Sequence, residues 1–410
     1  MRRLHLRRPA SRRDFLRLGA AGASWFLGLP LLSGCGGGGG GGGRGGGGNP
    51  PKPQSNIPNL GPLQPADANG VMLPPGFTSR IVAVSGVEPI GTSGYPWHAA
   101  PDGGATFAAP GDGWVYVSNS EVGSSNGGVG AIRFDDAGNI LDAYPILTGT
   151  NDNCAGGKTP WDTWLSCEES GNGGRVYECD PFGIDPPLAR PALGRFNHEA
   201  VAVDPIEDRI YLSEDRGDGR LYRFTPSNGL PDLTAGLLEV AEVLGAGPGG
   251  PVVWHPVPDP TGASTPTRYQ VASSTPFDGG EWINYHGGRI YLATKGDDRI
   301  WRFDVANQSI SILYDDDTSA TPILTGVDNL EVSIDGDVLV AEDGGDMQIV
   351  AITASGGVVP ICQLVGHDSS EITGPAFSPD SSRLYFSSQD GTTGNPSDGM
   401  TFEITGPFVV

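Results

Sequence analysis

The sequence predicts an all-β fold, a six-bladed β-propeller with an axial metal site. Three observations predict it: a strand phrase that recurs six times, a spacing in the forties between most copies, and weak helical periodicity throughout. The copies lie at 114–121 (WVYVSNSE), 163–169 (TWLSCEE), 209–215 (RIYLSED), 289–295 (RIYLATK), 337–343 (DVLVAED) and 383–389 (RLYFSSQ). Each alternates β-branched, aromatic and small residues, the pattern of a half-buried strand. Their apolar starts are separated by 49, 46, 80, 48 and 46 residues. A four-stranded blade is the usual unit at that period. The long gap reads as a blade plus an insertion of roughly 30 residues, matching the Pro/Gly-rich stretch 245–275. Abundant glycine fits many tight turns between short strands.

Residues 1–35 read as a targeting segment. Arg12-Arg13 within SRRDFL is a twin-arginine pattern, and the following apolar run ends Leu32-Ser33-Gly34-Cys35. That ending resembles a lipoprotein processing box, which makes Cys35 a candidate lipid anchor; ordinary cleavage near Ala23 or Gly34 is the alternative. The run is too short and too glycine-broken for a spanning helix. Residues 36–69 read as a Gly/Pro-rich tether, and 70–410 as the propeller. Location outside the cytoplasm, periplasmic or at the cell surface, follows from this address.

The chain has 25 basic and 48 acidic residues. Removing the leader's seven Arg and one Asp leaves 18 against 47, a net charge of −29. That balance argues against nucleic acid or an anionic membrane surface as partner, leaving the membrane only through a lipid at Cys35. The expected partner is a small molecule, and the expected state a monomer.

Four cysteines follow the leader: Cys154, Cys167, Cys179 and Cys362. The hairpin after Cys167 is read as centred on Gly173, which sets Cys167 opposite Cys179; a disulfide and two buried thiols both stay open. Cys154 has no evident partner among its neighbouring glycines.

Within each blade the strand before the quoted phrase is expected to line the axis. Cys154, Glu199, Glu281 and Asn329 precede their aromatic strands by 10, 11, 9 and 9 residues, with Asp328 beside Asn329 and Glu371 slightly further back in the last blade. Glu121, Glu168 or Glu169, Glu214, Asp215, Lys295, Glu342 and Asp343 end the second strands. So many carboxylates in one mouth cannot all stay ionised unless cations neutralise them. Oxygen ligands suit Ca²⁺, Mg²⁺ or Mn²⁺, and a thiolate suits iron or zinc. Lys295, the one cation in the ring, can meet an anionic substrate or pair with Asp297 or Asp298. His98, His198, Arg195 and Arg216 are lesser candidates.

The segments NCAGGKTPWDTWLSCEES, RFNHEAVAVDP, SEDRGDGRLYRFTP and EITGPAFSPDSSRLYFSSQ resemble the PhoX-type alkaline phosphatases from about Gly70 to the C-terminus. The resemblance implies a six-bladed propeller with axial Fe³⁺ and Ca²⁺, hydrolysing phosphomonoesters outside the cytoplasm. It maps metal ligands onto Cys154, Glu169, Glu199, Glu214, Glu281 and Asp328, and leaves Lys295 as the catalytic cation. Two positions depart from the family pattern: Arg-Pro-Glu reads Gly279-Gly280-Glu281, removing the phosphate-contacting Arg, and Gln-His-Pro-Gly reads Gln389-Asp390-Gly391. A calcium-dependent propeller lactonase or sugar-acid hydrolase, and a non-catalytic calcium-stabilised interaction lipoprotein, are the alternative functions.

Overall fold

The computed structural model describes residues 52–111 and 113–410. Among them there is no α-helix; short antiparallel strands alternate with tight turns and seven three-residue 3-10 segments. The strands form five sheets. Three have four strands, and one has four plus the short N-terminal strand Val71–Met72. The fifth has nine.

Six separate sheets were expected, and the structure gives five because the insertion is itself a strand. Gly250–Pro256 pairs on one side with Gly236–Val243 and on the other with Ser309 and Ile310, fusing two four-stranded runs into one sheet. The folded body also begins earlier than the sequence suggested. Gln54 and Asn56 donate backbone hydrogen bonds to Val410 and Phe408, and Ile57 is fully buried. The C-terminal part of the expected tether, from Gln54 on, is therefore packed structure. The twin-arginine run, Cys35 and the polyglycine stretch lie outside the described residues.

Six innermost strands matter for function: Pro101–Ala108, Asn153–Lys158, His198–Asp204, Gly280–His286, Val327–Val332 and Ile372–Phe377. Each touches the preceding and following one, and the last returns to the first. The first two, PDGGATFA and NCAGGK, are rich in Gly and Ala because neighbouring strands crowd them. A Cβ on Gly157 would lie 1.9 Å from the Val201 carbonyl oxygen, and one on Gly103 2.6 Å from Ala155 Cα. The ring is also tied by strand exchange, since Thr78–Val84, from the start of the chain, pairs with the C-terminal strand Met400–Thr405.

Between sheets the apolar faces of the second and third strands pack together. Tyr116 stacks on Tyr385 with ring centroids 5.1 Å apart, joining the sheets that contain the first and last innermost strands. Phe196 and Tyr222 stack at 4.2 Å, and Tyr211, Trp254 and Phe303 cluster where the nine-stranded sheet bends. Fully burying one such ring contributes about 2–3 kcal/mol by area alone.

The expected pairing of Cys167 with Cys179 fails on register. A 3-10 turn, Gly171–Gly173, closes the hairpin, so Cys167 faces Val176 and Cys179 faces Trp164. All four described cysteines are free and buried.

Candidate metal centre

One backbone device builds the site. Every innermost strand carries a β-bulge against its second strand, in the same register in all six. A bulge sets two residues against one and redirects the side chain it carries. Counting one residue past the last pair before the bulge gives Asp102, Cys154, Glu199, Glu281 and Asp328, and in the sixth strand Gly374, which has no side chain to offer. Counting one residue past the matching second-strand partner gives Glu121, Glu169, Asp215, Lys295 and Asp343, and in the sixth blade Ser388. In five of the six blades, two sets of polar side chains thus come from one repeated geometry.

These side chains meet in four overlapping groups whose ligand atoms all lie within 4.8 Å of one another: Asp102–Glu121–Cys154, Cys154–Glu169–Glu199, Glu199–Glu281–Asp328, and Asp328–Asp343–Glu371. Neighbouring polar groups hold them. Gln389 Nε2 donates to Asp102 Oδ2 at 2.9 Å and Glu121 Oε2 at 2.6 Å. Asn197 Nδ2 donates to Glu169 Oε1 at 2.9 Å, and Asn329 Nδ2 to Asp328 Oδ1 at 2.7 Å. The Cys154 thiol donates to Glu199 Oε1 at 3.2 Å. Behind it, Asn119 Nδ2 donates to the carbonyls of Cys154 and Ala155, at 3.0 and 2.7 Å, which fixes the bulge that aims the thiol.

Burial and crowding push the acids the same way. The carboxyls of Asp102, Glu199 and Glu281 are raised well above their ordinary range, first by burial and then by the neighbouring charges of Glu121, Glu281 and Asp328 respectively. Glu169 is pushed up to about 8 by burial and by Asp215. Burial, then Asp102 and Glu199, raises the Cys154 thiol. A site that resists ionisation of so many acids is one that bound cations would relieve. The residues fit that role directly: Glu199 Oε2 and Glu281 Oε1 are buried without a hydrogen bond among the described residues. The donor set divides chemically, with sulfur in the first two groups and carboxylate oxygen alone in the last two.

Of the sequence-predicted ligands, Cys154, Glu169, Glu199, Glu281 and Asp328 come together. Glu214 does not. It is the last paired residue of its second strand, one position short of the ring, and is fully buried. Its Oε1 accepts from Arg268 at 3.0 Å and its Oε2 from the Tyr222 hydroxyl at 2.9 Å. Arg268 comes from the insertion, a partner no strand pattern could announce. Asp215 holds the ring position instead. Asp102 was missed because PDGGATFA lacks strand-like alternation, and because it lies 13 residues before Val115, outside the 9 to 11 residues that place Cys154, Glu199, Glu281 and Asn329.

Lys295 does not pair with Asp297 or Asp298, which bind Arg299 and the Gly326 backbone N–H. Its Nζ lies 3.1 Å from Asp343 Oδ2, 3.2 Å from Glu281 Oε1 and 3.8 Å from Asp328 Oδ2. Burial alone would lower its pKa, but the charges of Asp328, Glu281 and Asp343 outweigh that and raise it. His198 Nε2 donates to the Gly194 carbonyl at 3.1 Å, and burial lowers its pKa to about 3, as it does for His98. Neither belongs to the ligand groups. Arg216 is exposed at the rim, 3.3 Å from Asn197 Oδ1.

A cavity of about 440 Å³ lies at the other end of the innermost strands. It is lined by Lys158, Asn284, Glu331 and Phe377, with Trp164 and Trp282 in its wall. Trp282 follows the ligand Glu281 directly, so one side chain walls the cavity while its neighbour serves the ring.

The sequence profile of the family described as alkaline phosphatase PhoX matches residues 136–182 and 171–391. Among solved structures, Pseudomonas fluorescens PhoX in complex with vanadate, a transition-state analogue, superposes with a TM-score of 0.69 at 17% identity, covering 85% of this chain and 98% of that one. A gluconolactonase from Xanthomonas campestris covers 85% of this chain and 98% of its own, at a TM-score of 0.48 and 14% identity. No curated protein matches by sequence.

Proposed function

This chain belongs to the PhoX alkaline phosphatase family, and from that membership we propose that it is an exported, metal-dependent phosphomonoesterase. The observation that carries the reading is the repeated bulge, which brings Asp102, Cys154, Glu199, Glu281 and Asp328 from five strands into one ring.

Cys154, with Glu169 and Glu199, suits iron; the oxygen-only groups around Asp328 suit calcium. When bound, such cations neutralise charge on phosphoryl oxygens and make water a better nucleophile. The protein's own part is to hold and orient. Gln389 and Asn197 restrain the ring carboxylates, and Asn119 restrains the Cys154 backbone. Lys295 presents a positive charge to the phosphate. Phosphoryl transfer needs positioning and charge neutralisation above all, so this set is sufficient in kind.

Lys295 also accounts for the missing arginine. Its backbone N–H donates to the Gly279 carbonyl at 2.9 Å, and a Cβ on Gly279 would lie 3.6 Å from Lys295 Cβ. The cation has moved to an adjacent backbone, not left the mouth. The thiol at Cys154 disfavours an oxygen-only calcium lactonase.

We count the nine-stranded sheet as two blades bridged by Gly250–Pro256, which makes six blades, one per innermost strand. Export by the twin-arginine route, with an anchor at Cys35, is part of the same reading. The test is hydrolysis of p-nitrophenyl phosphate at alkaline pH by metal-loaded protein. Cys154→Ala and Glu169→Ala are each expected to lower the rate at least about 100-fold, several kcal/mol of transition-state stabilisation. Full activity in both variants would refute the assignment.

A further inference from the structure

Four carboxylates and one lysine occupy the second-strand position in five of the blades: Glu121, Glu169, Asp215, Lys295 and Asp343. Lys295 therefore puts a positive charge where the repeated geometry otherwise delivers a metal-type ligand. The side chain does not turn away. Its Nζ sits 3.2 Å from Glu281 Oε1, 3.1 Å from Asp343 Oδ2 and 3.8 Å from Asp328 Oδ2.

Those three carboxylates make up the junction of two ligand groups, Glu199–Glu281–Asp328 and Asp328–Asp343–Glu371. Glu281 is 2% exposed, and its Oε1 has no directional hydrogen bond. The contact to Lys295 is thus a charge contact of the kind a cation makes. A divalent ion would need the same oxygens at about 2.0–2.6 Å. An ion bridging Glu281 Oε1 and Asp343 Oδ2 could not sit there while an ammonium lies just over 3 Å from both, because the two positive charges would repel inside a partly desolvated mouth; the Glu199 and Glu371 ends of the two groups are left for calcium.

We propose that Lys295 is a tethered cation that replaces one divalent ion at the junction of these two groups. The consequence for the substrate follows from exposure. The Lys295 side chain is 36% exposed, so with Glu281 and Asp343 on one side its ammonium still has a face open to the mouth. Contact with a phosphate oxygen at this corner is then made by a fixed point charge. The inference rests on the metal-dependent reading above and adds the number of ions to it.

The experiment compares full-length exported protein with Lys295→Met, Lys295→Gln and Lys295→Arg variants. Each is saturated with Ca²⁺, dialysed against buffer passed over chelating resin, and analysed for elements per folded chain, with circular dichroism as the folding check. Lys295→Met and Lys295→Gln are expected to retain one more calcium per chain than wild type. Lys295→Arg, which keeps the charge, should retain the wild-type number. Equal or lower calcium in both neutral variants, beside a metal-bearing wild type, overturns the proposal. A wild-type protein that binds no ion at all defeats the metal-dependent reading first, and this inference with it.

Discussion

Glu214 and Glu169 are both acids at second-strand ends, yet they have different jobs. Glu169 Oε1 is held by Asn197 with the Cys154 thiol and Glu199 nearby. Glu214 is locked to Arg268 and Tyr222. Removing Glu214 leaves a guanidinium that is 10% exposed without its buried partner. Glu214→Ala is therefore expected to cost about 2–4 kcal/mol in urea unfolding while the ion content of the folded protein stays at the wild-type value. Ion loss in that variant would return Glu214 to the ligand set.

A second residue, Glu331, lies in the far cavity, where burial raises its carboxyl from 4.5 to about 7. The folded state then holds a proton that the unfolded chain releases, so stability falls as pH rises from about 4.5 through about 7. Lys158 offsets part of this. Glu331→Gln should match wild type near about pH 4 and exceed it by up to about 3 kcal/mol near about pH 8 in denaturant titrations. No difference between the two pH values would contradict the assignment.

At this scale the sequence was readable where a residue's type carried its chemistry: a lone thiol before an aromatic strand, or a Glu at a fixed distance from one. It was unreadable where a single position decides. Glu214 and Asp215 are adjacent, and only the strand register says which of them enters the ring.

At the scale of the element, the bulge does the work, and glycine lets neighbouring innermost strands approach closely enough for it. Gly157→Ala would put a methyl 1.9 Å from the Val201 carbonyl oxygen, against backbone that cannot swing aside. We expect a loss of at least about 2 kcal/mol in unfolding free energy, measured by denaturant titration. A neutral effect would show that these strands are less tightly packed than the geometry requires. Alternation made the second strands legible, since their faces pack between sheets. The innermost strands were harder because crowding selects Gly and Ala and erases the alternating pattern, as in PDGGATFA and NCAGGK. The Cys167 and Cys179 register failed for a related reason: the 3-10 turn that closes their hairpin shifts the pairing away from a symmetric count.

For the whole molecule, the recurring phrase and its period gave the propeller architecture, because each copy is a strand that needs neighbours on both faces. They could not reveal that the insertion would bridge two sheets, or that Thr78–Val84 would close onto Met400–Thr405. Both are contacts between distant segments with no local signature. The ring they close concentrates acids from across the chain into four ligand groups. Elemental analysis of the purified protein tests that claim most directly, with Cys154→Ala measured beside wild type. The account predicts iron and calcium in wild type, with iron lost and calcium kept in the variant. A wild type without iron, or iron content unchanged by removing the thiol, would contradict it.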